Sequence, residues 1–412
     1  MRSWLNPGRP DIGSPEAHLR LGGEPLPDGP LTLYVCGVTP YDTTHLGHAR
    51  TYLAFDHLLR LLRATGRDIA CVQNVTDIDD PLLERALRDG IHWSDLAAHQ
   101  TDLYREDMQA LRILPPDHFV GVVETVPLIG DAVRRLGAAG AAYHVPRQDG
   151  PDDVYADLAA DPRFETGLDD QSALALFAER GGDPGRPGKR DPLDPLLWRS
   201  AREGEPWWEE ESLPRGRPGW HVECSAIAEH FLGGAPTITG GGNDLAFPHH
   251  PMSASHLRML GHGDSHLFMH AGMLAHDGEK MSKSLGNLLF VSRLRRDHEP
   301  AAIRLALASL PWADDLEWRA GLLDDAEERL ARWRAAARRP GDSQGLAAEI
   351  AARLADELDV PGVIALVDQW AAQRLSGWHH HVDSTGATDQ GSAELDTAAV
   401  AAIDAFLGVD LS

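Results

Sequence analysis

Leu31-Thr32-Leu33-Tyr34-Val35-Cys36-Gly37-Val38-Thr39-Pro40-Tyr41-Asp42-Thr43-Thr44-His45-Leu46-Gly47-His48 is the stretch whose reading decides the fold. Leu31 to Cys36 reads as a strand, and Gly37 and Pro40 break it before a helix that includes Ala49 to Arg63. A second strand, Asp68 to Val75, ends in Asn74-Val75-Thr76-Asp77-Ile78-Asp79-Asp80. Strand, helix, strand is how a doubly wound parallel sheet begins, so the fold class is α/β.

Outward from that unit, helical patterns run from Pro81 to about Leu114 and from Gly121 to Gly137. Gly181 to Gly219 is dense in Gly, Pro and Arg and reads as an irregular, mobile connection. Thr237-Ile238-Thr239 is strand-like and runs into Gly240-Gly241-Gly242, read as a turn where backbone can approach a ligand. After Leu294 apolar residues recur with helical spacing, from Ile303 to Leu310, Leu322 to Trp333, Leu346 to Leu358 and Ile364 to Leu375. Residues from about 320 onward read as a separate helical unit with a polar loop, Ser376 to Ser392, and a last helix near Ala398 to Leu407.

Composition narrows the class. A chain of 412 residues is long for one core, which predicts two or three compact units. No apolar run reaches the roughly 20 residues of a membrane span, and the N-terminus lacks the apolar core of a signal peptide, so a cytoplasmic protein is expected. Cys36, Cys71 and Cys224 are too few and too scattered for a disulfide framework, leaving metal binding or burial. The net charge of −25 repels nucleic acid at long range. Lys189, Lys280 and Lys283 are the only lysines among 38 basic residues, and two of them stand in Glu279-Lys280-Met281-Ser282-Lys283-Ser284. An ammonium kept where arginine is the default cation hints at a need for it.

Two motifs carry phosphate chemistry. His45 and His48 share a helix face, with Gly47 between them leaving the backbone open to a bulky ligand. At a helix N-terminus they would offer imidazole donors together with the positive end of the helix dipole; a structural or surface pair is the alternative. The Lys280 to Ser284 loop can close over a triphosphate and set cations on the charge that develops as pyrophosphate leaves, a solvated turn being the plainer reading. Both motifs, in this order after a strand, helix, strand opening, resemble class I aminoacyl-tRNA synthetases.

Cys36, Cys224 in Gly219-Trp220-His221-Val222-Glu223-Cys224-Ser225 and His249 in Phe247-Pro248-His249-His250 have zinc-ligand chemistry, but their spacing alone matches no zinc motif. These segments, with Asn74 to Asp80, resemble the zinc-binding and second-strand signatures of cysteinyl-tRNA synthetases. The resemblance covers residues 28 to 320 and implies one zinc ion held by Cys36, Cys224 and His249. Where those synthetases place a further carboxylate, this chain has Ser253. Three protein ligands leave a position for substrate, with Thr39 or water as other candidates. Zinc suits a cysteine substrate: shape and apolarity alone separate cysteine from serine by roughly 10–200-fold, whereas a soft cation selects the thiolate. Cys71 reads as core, Trp220 as pocket wall or packing, His379 to His381 as solvated surface, and some of Asp77, Asp79 and Asp80 as helix caps.

The C-terminal part separates two members of this group. From Gly341 to Ser412 there are two basic residues, Arg353 and Arg374, against twelve acidic ones, a poor surface for tRNA. Glu179-Arg180-Gly181-Gly182-Asp183-Pro184, Ser253 and the ending Ala402 to Leu411 resemble the mycothiol cysteine ligases of actinobacteria, over essentially the whole chain. That resemblance implies a class I synthetase-type Rossmann catalytic domain at 1–320, with an insertion at about 112–205 and a loop region at about 270–295, then a helical domain at 321–412. It implies ATP with Mg2+ and L-cysteine giving cysteinyl adenylate, then attack by the 2-amino group of glucosaminyl-inositol; a monomer with no tRNA partner is expected. Cys36, Gly37, Val38, Thr39, Thr51, Asn74, Val75, Thr76, Trp220, Gly242, Asn243, Asp244 and His276 are expected around the adenylate, and His45, His48, Lys280 and Lys283 at the phosphates. A truncated cysteinyl-tRNA synthetase is the rival reading.

Overall fold

A computed structural model describes the chain except for residues 43, 277, 282–285, 340, 342 and 377–394, and the side chains of 279 and 280. Five parallel strands form the central sheet, in the order Leu267–Ala271, Ile238–Gly242, Leu31–Val38, Ile69–Val75, His118–Gly121. The chain winds outward in both directions from Leu31–Val38, so the switch point of the sheet lies at the carboxyl end of that strand. The helix Leu46–Ala64 follows it and is buried along most of its length.

Gly37 marks a local irregularity in the pairing of the first strand with Ile69–Val75. Its amide donates to Asn74 Oδ1 at 2.9 Å, and a Cβ there would lie 1.5 Å from the Asn74 carbonyl oxygen. Only glycine permits this approach. The helical stretch expected from Pro81 to Leu114 is two helices, Asp80–Asp89 and Trp93–Ala110, because Gly90 at φ 67° ends the first in a left-handed cap.

Three expectations change. His118–Gly121, within the residues expected as an insertion, is the edge strand of the central sheet. Residues 181–219 are not wholly irregular: Leu196–Ser200 and Gly216–Pro218 complete a four-stranded antiparallel sheet with Ala142–Val145 and Asp153–Ala156. Long-range burial of Leu197 and Trp198 overrides the local Gly and Pro signals there. Gly240 to Gly242 are strand and not turn, since they pair with Met269, His270 and Ala271.

The helices Gly321–Ala337, Leu346–Leu354, Val360–Ser376 and Thr397–Leu407 share one hydrophobic core with the first strand and first helix. Among the described residues, no helix is long and apolar enough to cross a membrane. The polar loop and His379 to His381 fall outside the described residues.

A buried ionic knot joins the two regions. Asp56 lies between Arg60 Nε, at 2.8 Å, and Arg304 Nη2, and accepts from the Leu114 amide at 2.7 Å. Both guanidinium groups continue to the C-terminal helix: Arg60 donates to the Asp404 carbonyl at 2.9 Å and Arg304 to that of Leu407. The last helix is therefore tied to the first, whose N-terminus carries His45 and His48.

Candidate active site

At the carboxyl edge of the sheet lies a cavity of about 960 Å³ lined by Cys36, Gly37, Val38, Thr39, His45, His48, Thr51, Trp220, Gly242 and Asp244. Parallel pairing brings these separate segments together, since each leaves the same edge. Asn74, Val75 and Thr76 are buried beneath the lining, with Asn74 Nδ2 donating to Thr76 Oγ1 at 3.2 Å. Asn243 and His276 are not part of the lining. His276 lies beside Asn287, which donates to the His276 carbonyl at 3.1 Å.

His45 caps the first helix, its Nδ1 accepting from the His48 amide at 3.4 Å. The two rings stack with centroids 3.6 Å apart. The expected pairing of imidazoles with a helix N-terminus is present. Lys283 lies outside the described residues, and Lys280 is described by its backbone alone.

Cys36 Sγ, Cys224 Sγ and a ring nitrogen of His249 lie within 4.8 Å of one another, all buried. The sulfurs are 4.0 Å apart and His249 Nε2 is 3.2 Å from Cys224 Sγ. A tetrahedral metal with bonds of about 2.0–2.3 Å needs donor separations of roughly 3.5–3.8 Å, so the residues present fit a metal ion. Burial, reinforced by His221, His250 and His256, holds the His249 imidazole well below its usual range, which keeps it neutral as a ligand must be. The hydrogen bond with Cys224, then burial, pushes the Cys36 thiol up; a cation between them would reverse this.

Sequence reasoning missed His221. Its Nδ1 is 3.0 Å from His249 Nδ1, and burial pushes its pKa down to about 3, so it is a neutral partner that can fix the tautomer of His249. The signal was present in the quoted motif, three residues before Cys224. Ser253 Oγ donates to the His221 carbonyl at 3.0 Å, so position 253 supports the site through backbone. Trp220 both lines the cavity and stacks on His249, with centroids 4.4 Å apart. Asp79 caps the helix Asp80–Asp89, Asp77 Oδ1 accepts from the Val123 amide at 2.9 Å, and Cys71 is buried core.

The family described as "tRNA synthetases class I (C) catalytic domain" matches residues 23–328, and the chain belongs to it. Among curated relatives, the L-cysteine:1D-myo-inositol 2-amino-2-deoxy-alpha-D-glucopyranoside ligase of Streptomyces griseus is 52% identical, covering 94% of this chain and 92% of that one. The ligase of the same name from Thermomonospora curvata is 49% identical, with both chains covered in full. In fold, the chain resembles the Mycobacterium tuberculosis methionyl-tRNA synthetase bound by methionyl-adenylate, with a TM-score of 0.67, 15% identity and 92% of each chain covered.

Proposed function

We propose that this chain is an ATP-dependent ligase that joins L-cysteine to the 2-amino group of glucosaminyl-inositol through cysteinyl adenylate, releasing pyrophosphate and then AMP. The observation that carries the reading is identity of about half, over nearly the whole length, with ligases of that name.

Cys36, Cys224 and His249 are the residues that would hold zinc. Zinc there would supply a soft Lewis acid that prefers thiolate to hydroxyl and so separates cysteine from serine. The segment from Cys36 to Thr39, with Thr51, Trp220, Gly242 and Asp244, holds the amino acid and the nucleotide; Asn74 to Thr76, Asn243 and His276 support it. His45, His48 and the helix N-terminus receive the phosphates of ATP with its Mg2+, and Lys280 and Lys283 neutralise charge on departing pyrophosphate. His221 orients His249. His221→Leu should lower zinc affinity roughly 10–100-fold in a chelator competition, and unchanged retention would remove His221 from this role.

An amino sugar without phosphate as acceptor accords with the C-terminal surface, where Arg353 lies 3.5 Å from Asp359 and Arg374 pairs with Asp396. AMP release from ATP and cysteine should rise on adding glucosaminyl-inositol and should not respond to tRNA. The rate should climb toward mildly alkaline pH, because only the unprotonated amine attacks. Formation of cysteinyl-tRNA at a rate comparable to adenylate formation would restore the synthetase reading.

A further inference from the structure

Joining an amine to an acyl adenylate requires something that receives the amine and removes its proton. The cavity lined by Trp220 and Gly242 is also lined by Tyr41, Asp79, Asp80, Arg199 and Arg217. Its volume stands at the upper end of the roughly 300–1,000 Å³ usual for ligand pockets, room for a second substrate beside the adenylate.

Of the acids that line this cavity, three are engaged by cations. Asp80 is taken by Arg217 and lies 3.5 Å from Arg199. Asp153 is held by Arg202 at 2.8 Å, and Asp183 by Lys189 at 3.1 Å. Asp79 forms no ion pair among the described residues: one oxygen accepts from the Asp80 amide at 2.8 Å, and the other has no hydrogen-bond donor among them. It is half-buried, and it faces Asp80 on its own turn, Arg199 and Arg217 on the insertion sheet, Tyr41 after the first strand and Glu223 on the helix Trp220–Leu232.

We propose that Asp79 receives the acceptor amine, holds it against the adenylate and takes its proton. This assignment rests on the amine-acceptor reading above. The ammonium gives one proton to the Asp79 carboxylate; the freed lone pair forms the C–N bond to the cysteinyl carbonyl. The C–O bond to phosphate then breaks with its electron pair on AMP, and the remaining extra proton on nitrogen leaves to water. Burial, opposed by the hydrogen bond from Asp80, pushes the Asp79 carboxyl up to about 6, closer to neutrality than an ordinary carboxylate and so a better base.

Asp79→Asn retains a good helix cap, so the fold is kept while the base is lost. Two rates are compared in wild type and variant: cysteine-dependent exchange of pyrophosphate into ATP, and AMP release driven by glucosaminyl-inositol. The variant should keep exchange, a half-reaction in which Asp79 takes no part, and lose acceptor-driven release by about 10²–10⁴-fold at neutral pH. Raising the pH should recover much of that loss, since solvent then deprotonates the amine. An equal fall in both rates, or no fall in acceptor-driven release, would overturn the role of Asp79. Wild type that exchanges pyrophosphate but ignores glucosaminyl-inositol would instead overturn the acceptor reading, and this assignment with it.

Discussion

Replacing Cys36 or Cys224 by Ala is expected to abolish both bound zinc and cysteine-dependent exchange of pyrophosphate into ATP. The two sulfurs and His249 Nε2 form a single buried donor set, and removing one donor leaves two where a tetrahedral site with an open position needs three. Loss of a partner behind a ligand already costs about 10–100-fold in affinity, so loss of a ligand should exceed that. Any exchange that survives should prefer cysteine to serine by no more than roughly 10–200-fold, the range that shape alone supplies. Metal content and exchange rate are measured together; a metal-free Cys36→Ala protein with full exchange would sink the zinc assignment.

Asp56→Asn is expected to cost about 3–5 kcal/mol of folding stability, because Arg60 and Arg304 would remain buried without their countercharge. Asp102→Asn, which opens the more exposed pair with Arg105, is the control and should cost no more than about 1 kcal/mol. Chemical denaturation of both variants reads the difference. Burial alone would raise the Asp56 carboxyl, but Arg304 and Arg60 outweigh it and hold the group below the usual carboxylate range. Burial draws Arg304 down to about 10, so it remains charged at neutral pH. A depressed carboxyl contributes stability that is fully present above its unfolded pKa of about 3.9 and is lost as pH falls through the folded value. The gap between wild type and Asp56→Asn should therefore be flat from neutral pH to about 5 and close only in stronger acid. A gap that widened on acidification would contradict the charged state of the knot.

The strand from Leu31, the first helix and the second strand were legible because each is announced by local pattern. The structure extends the first strand to Val38 and the helix to Leu46–Ala64, starts the second strand one residue later at Ile69, and leaves their order unchanged. His45 and His48 were legible for the same reason, three residues apart at the start of one helix. The stretch 181–219 was misread because its strands are short and lie between segments dense in Gly and Pro, and what fixes them is pairing with residues far along the chain. His221 was quoted within a motif but given no role, since its partner His249 lies 28 residues away.

By itself, then, the sequence determined the fold class, the histidine pair at the helix start and the donor types able to hold a soft metal. Those properties follow from short-range periodicity and side-chain chemistry, and need no knowledge of which strands are neighbours. Tertiary structure alone decided that Cys36 and Cys224, 188 residues apart, approach to 4.0 Å, and that the C-terminal helix is knotted to the first helix through Asp56. It also decided that Asp79 stands in the wall of the cavity that Trp220 lines. These are matters of strand order and helix packing, which arise when hydrophobic burial brings distant segments together, and no local pattern encodes them.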